Sequence, residues 1–162
     1  MSNVTENIHA LIKIAVVCGI VLLCFWLFKH RARTSVEPGD KSMDASGFPE
    51  GGYSVDSSVT SLAAIKSGAF VAYRNPKDPT HVLIARVIGV EGARVEVTPT
   101  EVRVNGAPID KRIQTSTWTI PETLVPRGCA YLLADDPLTG MDSKQIGPVP
   151  FSCILGTVTP SR

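Results

Sequence analysis

At 162 residues, with 44% hydrophobic residues and a formal net charge of +1, the chain has room for one modest domain and one additional element. The near-neutral balance gives no bulk field for nucleic acid, and none is expected as a partner. No glycine-rich phosphate loop and no Cys/His cluster of metal-ligand spacing is present, so no cofactor or metal is expected.

The segment from Ile8 to Phe28 is apolar except for His9 and Lys13. As a helix it would be roughly 30 Å long, enough to cross a bilayer core. Lys13 lies one turn in and can snorkel to the interface, and Trp26 stands near the far end, as interfacial aromatics do. The alternative is a cleaved signal peptide, but Lys29-His30-Arg31-Ala32-Arg33 follows rather than an Ala-x-Ala site. The expectation is a single uncleaved transmembrane helix within an anchor of residues 1–33, then a second domain over 34–162. Cys18 and Cys24 fall in the apolar run and read as apolar filler.

Residues 34–67 are rich in Gly, Ser, Pro and Asp and read as a connector with an irregular loop. Strand patterns begin after Gly68. Ala69–Tyr73 is a short β run, and Asn75–Thr80, with its prolines, is a loop. Val82–Val90 is a nearly unbroken apolar run containing one charge, Arg86, and ending near glycine; it reads as a buried central strand. Arg94–Val97 and Glu101–Val104 alternate and are joined by a turn at Thr98-Pro99-Thr100; Asn105-Gly106 is a strong turn signal. Gln114–Ile120 alternates weakly, while Gly128–Leu133 and Cys153–Val158 read as further buried strands. After the span, Leu62–Lys66 is the best candidate for even a short helix. The second domain is therefore expected to be mainly β, its short strands coiled into a barrel-like structure. Cys129 and Cys153 lie on separate predicted strands, either paired in an oxidising compartment or buried as free thiols.

Five blocks in order carry a resemblance. They are Ser67-Gly-Ala-Phe-Val-Ala-Tyr-Arg-Asn-Pro76, Arg86-Val-Ile-Gly89, Val102-Arg-Val-Asn-Gly106, the box Ala134-Asp-Asp…Asp142-Ser-Lys144…Gly147-Pro-Val-Pro150, and the N-terminal span. Together they resemble the type I signal peptidases, membrane serine peptidases that use a serine nucleophile and a buried neutral lysine. The corresponding family blocks are Gly-Asp-x-Val-x-Phe-x-x-Pro, Lys-Arg-Val-Ile-Gly, Val-x-Val-Asn-Gly and Gly-Asp-Asn…Ser-x-Asp-Ser-Arg…Gly-x-Val-Pro. Phe48-Pro-Glu-Gly-Gly-Tyr53 is similar to a motif of the plasmid conjugative-transfer branch, which matures pilin subunits.

The resemblance implies a signal-peptide or pilin-like polypeptide substrate and secretion- or conjugation-system partners. It implies a location in the inner, cytoplasmic membrane with the β domain on the outer, periplasmic face. The basic cluster after the span would by itself place that domain in the cytoplasm; the family resemblance is preferred over a single flank.

A serine hydroxyl is a weak nucleophile until a base within hydrogen-bond reach takes its proton, and a lysine does so only when desolvation lowers its pKa. Here the base position is Ala85. Ser42-Met43 fits the family's Ser-Met signature and Ser42 ranks first as nucleophile. Ser46 fits the conjugative pattern with one inserted residue, and a gapless match places Gly47 there instead. His81 shares the parity of Ala85 but stands four residues away, roughly 13 Å along a strand. Lys41, if extended, would point away from Ser42. Gly140 occupies a position where many members have a serine touching the lysine, and Asp40 one where some place an oxyanion hydroxyl. Asp142, Lys144 and Arg86 are expected as structural support for the site. With Ala85 in the base position, cleavage is expected to be very slow or absent; a catalytically inactive binding or assembly component is the alternative reading.

Overall fold

The computed structural model describes residues 2–29, 31–35, 42–43, 46, 48, 52–109, 118–136, 138 and 140–160. Helix α1 spans Ser2–Lys29, and strands β1 (Arg31–Ser35) and β2 (Gly52–Asp56) follow. Next come β3 (Phe70–Asn75), β4 (Asp78–Val90), β5 (Arg94–Val97), β6 (Val102–Val104), β7 (Ala107–Pro108), β8 (Ile120–Leu124) and β9 (Cys129–Leu133). The chain closes with α2 (Ser143–Ile146), β10 (Val149–Pro150) and β11 (Ile154–Val158).

The mainly β expectation holds, and the strands divide into two antiparallel sheets. The larger runs β1-β2-β11-β3-β4-β9-β10 and the smaller β7-β6-β5-β8. β4 lies between β3 and β9, and its residues 83–89 are buried or nearly so. Its apolar run makes it a central strand, because only an interior position covers both faces. Leu83, Ala85 and Val87 enter one core cluster with Val71, Tyr73, Ala130, Leu132 and Val149. Ile84 points to the opposite face, with Met43, Phe48, Tyr53, Val55, Ala72 and Ala134. Toward its end β4 delivers Ile88 to a third cluster with Val95, Val97, Val125, Tyr131 and Leu133, under the small sheet. Gly89 makes this close approach feasible: a Cβ there would lie 2.9 Å from that of Ala93. The β4–β9 register also shifts between Val87 and Gly89.

The hairpin signals translate directly. Asn105 and Gly106 take positive φ values of 52° and 80°, as a type I′ turn requires, and connect β6 to β7. Thr98 bonds across its turn to Glu101, connecting β5 to β6.

Several boundaries differ from the sequence reading. Part of the region expected as connector and loop pairs instead: β1 joins β2, and β2 joins β11. β4 begins at Asp78, inside the expected loop, because it pairs with β3 around a tight turn. Leu62–Ala64 forms only a single 3-10 turn. The weak alternation at Gln114–Ile120 lies mostly outside the described residues, and the strand there is Ile120–Leu124. Cys129 packs on the cluster beneath the small sheet and Cys153 on the Ala85 side, and both thiols are free.

The bilayer span expected over Ile8–Phe28 has no support from the described residues, among which no helix is long and apolar enough to cross a membrane. On α1 the described side chains are those of His9 and residues 12–26, all exposed.

Candidate functional site

Alternation along β4 sends Ala85 and Arg86 to opposite faces. The Arg86 guanidinium is buried, so its charge must be paired. Asp135, two residues beyond the Leu133 that registers with Arg86, supplies the partner. Arg86 Nε donates to Asp135 Oδ1 at 3.0 Å and Nη2 to Oδ2 at 2.7 Å. Nη2 also donates to Ser46 Oγ at 2.8 Å, and the Ser46 hydroxyl donates to Asp135 Oδ2. Arg86 Cζ stands 4.4 Å from the ring centroid of Phe70, its cross-strand partner. This is a closed network: fork, carboxylate, hydroxyl and aromatic face satisfy one another.

Ser42 is held by its neighbours in sequence and space. It is buried, and its carbonyl accepts from Asp136 N at 2.9 Å. Met43 inserts into the core beside Ile84 and Ala134. The Met43 carbonyl accepts from Ser46 N at 3.0 Å and Phe48 N at 3.3 Å, while its sulfur accepts from Asp135 N at 3.3 Å.

The segment from Ala134 to Asp142 is thus fastened at both ends. Arg86 holds Asp135. At the other end Asp142, fully buried, accepts from Ala134 N at 2.8 Å and from the Lys144 ammonium. Asp142 also caps α2 by accepting from Lys144 N at 2.9 Å, while Gln145 Oε1 accepts from Asp142 N at 3.0 Å in a capping box. Gln145 Nε2 donates to the Gly140 carbonyl at 2.9 Å, Ser143 Oγ accepts from Leu132 N at 2.9 Å, and the Tyr73 hydroxyl donates to the Met141 carbonyl. Burial pushes the Asp142 carboxyl above its ordinary range, while Lys144 pulls in the opposite direction. Burial, and secondarily the Asp142 charge, pushes the Tyr131 phenol up to about 12.

Gly140 faces Ser42 across this segment. A Cβ at position 140 would lie 3.5 Å from Ser42 Cβ but would fall on the Ala134 methyl. The resemblance pairs glycine at the Ala134 position with serine at the Gly140 position. Here the first position carries a methyl group and the second is glycine, and the Ala134 methyl takes up the volume a side chain at 140 would need.

The structure therefore brings Ser42, Ala134, Gly140, Asp142 and Lys144 into one neighbourhood. Ser46, Arg86 and Asp135 form another, on the face of β4 opposite Ala85. Ala85 is fully buried in an apolar cluster. His81 pairs with Asp78 at 2.7 Å on the exposed start of β4, and Lys77 Nζ donates to the Gln145 carbonyl at 3.3 Å. Asp40, Lys41 and Gly47 lie outside the described residues. Among the described residues no group of three or more His, Cys, Asp or Glu is placed to hold a metal. Sequence reasoning missed Asp135 as the partner of Arg86 and missed the Ala134 methyl opposite Gly140. Asp142-x-x-Gln145, a capping-box spacing, was the available signal for α2.

A signal peptidase, peptidase S26, family model matches residues 6–161. Mitochondrial ATP-independent inner membrane protease subunit 1a of Arabidopsis thaliana is 30% identical over 89 residues, covering 55% of this chain and 45% of that protein. Mitochondrial inner membrane protease subunit 1 of Mus musculus is 29% identical over 96 residues, covering 58% and 48%. The chain thus spans about half the length of the curated relatives it matches. A crystal structure of a signal peptidase I from Enterococcus faecalis superposes with a TM-score of 0.52 at 19% identity, over 59% of this chain and 97% of that one, a likeness of fold. With ordered motifs, fold and a family match over nearly its whole length, the chain belongs to the signal peptidase S26 family.

Proposed function

We propose that this protein is a membrane-associated serine endopeptidase of signal-peptidase type, with Ser42 as nucleophile. Its substrate is an exported polypeptide, a signal-peptide-bearing or pilin-like chain presented in extended form with small residues before the scissile bond. The observation that carries this reading is the seating of Ser42. Its carbonyl is bound by Asp136 and its Cβ faces Gly140, on a segment locked at both ends by buried ion pairs. A nucleophile must be held in place by a rigid surround, and this serine is. Ser46 is the weaker candidate, because its hydroxyl is engaged by Arg86 and Asp135.

α1 is the membrane anchor in this reading. Its described face exposes Ile12, Ile14, Val16, Val17, Ile20 and Trp26, and relatives carry the name of inner membrane proteases. The β domain then lies on the outer face. Labelling a cysteine engineered there with an impermeant reagent in intact cells tests the orientation; protection would reverse it.

The Ala85 position supplies no base, and positioned bases contribute about 10²–10⁴-fold. Cleavage is therefore expected to be slower than in a member with lysine on β4. The second reading is a catalytically silent relative that binds such substrates or an assembly partner, favoured by Ala85 together with Ala134 and Gly140 in place of the family's glycine and serine. The test is cleavage of a signal-peptide-bearing reporter by the full chain in lipid vesicles. Cleavage lost in Ser42→Ala supports the peptidase. A folded parent and a folded Ala85→Lys variant that both fail to cleave would favour the silent relative.

A further inference from the structure

Resting on that peptidase reading, we infer that Gln145, on α2, is a positioning residue for the reaction: it fixes the Gly140 backbone against which Ser42 is presented. A Cβ at position 140 would stand 3.5 Å from that of Ser42, so with glycine there the backbone itself lines the serine. Glycine has more backbone freedom than any other residue, and such a wall needs a hold from outside. Two neighbouring carbonyls of this wall are tied. The Met141 carbonyl accepts from the hydroxyl of Tyr73, a buried residue of β3. The Gly140 carbonyl accepts from Gln145 Nε2 at 2.9 Å, and among the described residues no other donor reaches it.

Gln145 makes two separable bonds through one amide. Asp142 N can only donate and the Gly140 carbonyl can only accept, so the orientation of the amide is fixed. Oε1 takes the Asp142 N–H at 3.0 Å and Nε2 gives to Gly140. The first bond belongs to the capping box of α2 and acts on stability. The second reaches back five residues to the segment that faces Ser42 and adds nothing to the cap. The base from which it reaches is firm. Asp142 is buried and paired with Lys144, and the Lys77 ammonium donates to the Gln145 carbonyl at 3.3 Å, tying α2 to the turn between β3 and β4. Gln145 itself is exposed, so its amide can be altered without repacking the core.

The same segment holds the serine at a second point, since Asp136 N donates to the Ser42 carbonyl at 2.9 Å. Ser42 is therefore located by Asp136 at its carbonyl and by Gly140 beside its Cβ. A nucleophile acts only from a near-attack position, and a displacement of about 1 Å costs about 10²-fold in rate. Releasing the Gly140 carbonyl lets the wall beside Ser42 shift while the strands and the buried ion pairs stay in place.

Gln145→Glu separates the two bonds. A carboxylate oxygen still accepts from Asp142 N, as in the usual capping box, but offers no donor to the Gly140 carbonyl. Gln145→Met removes both. The assay is cleavage of a signal-peptide-bearing reporter by the full chain in lipid vesicles, in the parent background or, if only that variant cleaves, in Ala85→Lys. Gln145→Glu should lower kcat about tenfold or more, with KM and the thermal midpoint nearly unchanged. It should also speed amide hydrogen exchange over residues 136–142 and leave that of β4 unchanged. Gln145→Met should lower kcat similarly and the thermal midpoint as well. A folded Gln145→Glu that cleaves like its background overturns the inference and leaves the peptidase reading intact, since the residue would then only cap a helix. Should Gln145→Glu not fold, Gln145→Met is measured per folded molecule, and a kcat equal to that of its background overturns the inference. A lower kcat with unchanged exchange over 136–142 also overturns it, because the effect would not pass through Gly140. Failure of both the parent and a folded Ala85→Lys to cleave overturns inference and peptidase reading together.

Discussion

Ala85 and Arg86 are adjacent on one strand, yet their surroundings have diverged. On the Arg86 side the polar network is complete: Asp135 accepts twice, Ser46 bridges, and Phe70 covers the guanidinium. On the Ala85 side an apolar cluster packs around a methyl group. The asymmetry has a physical origin. Removing one partner of a buried ion pair leaves the other charge stranded, at a cost of about 3–5 kcal/mol. An alanine in an apolar cluster carries no charge to strand, so the fold needs no polar partner on that side. The charges of the Arg86 network are therefore hard to lose singly, while the Ala85 side imposes no such requirement.

The largest expected effect tests that asymmetry directly. Asp135→Ala should destabilise the protein by about 3–5 kcal/mol in denaturant unfolding, since Arg86 would remain buried without its carboxylate. A loss below about 1 kcal/mol would mean that water reaches the guanidinium and the network is not closed.

Ser46→Ala comes next. It removes hydrogen bonds to two charged groups and should cost about 1.5–3 kcal/mol, with cleavage by the folded fraction retained. If stability is unchanged and cleavage disappears, Ser46 rather than Ser42 is the nucleophile.

Gly140→Ser sharpens the comparison on the other side of the site. The new Cβ overlaps the Ala134 methyl, so the single variant should lose about 1–3 kcal/mol. Ala134→Gly combined with Gly140→Ser should recover much of that loss, giving a favourable coupling in a double-mutant cycle. Additive effects would show that the two positions are not exchanging one volume.

The smallest effect is at Tyr131, whose buried hydroxyl has no hydrogen-bond partner among the described residues. Tyr131→Phe should stabilise the domain at neutral pH by about 1 kcal/mol. The phenol is raised in the fold from 10.0 to about 12, so its proton-linked contribution is full below pH 10 and is lost as pH rises through about 12. The parent should therefore lose stability over that window relative to Tyr131→Phe, as followed by alkaline unfolding curves.

The sequence alone determined a good deal, and for local reasons. The apolar run of Val82–Val90 required a central strand, the alternation of Arg94–Val97 a half-covered one, and Asn105-Gly106 a left-handed turn. The order of short motifs sufficed for the family, and the absence of an ionisable group at Ala85 could be read directly. What the tertiary structure decided depended on contacts between residues far apart in the chain. Asp135 answers Arg86 only because β9 lies beside β4 in a register that brings Leu133 opposite Arg86. The pairing of β1 with β2 and of β2 with β11 was invisible in a Gly- and Ser-rich segment, since edge pairing there rests on backbone hydrogen bonds more than on side-chain pattern. The separation of Ser42 from Ser46 was equally non-local. Both are loop serines four residues apart, and only the packing of Met43 against Ile84 and Ala134 turns one toward Gly140 while Arg86 and Asp135 bind the other.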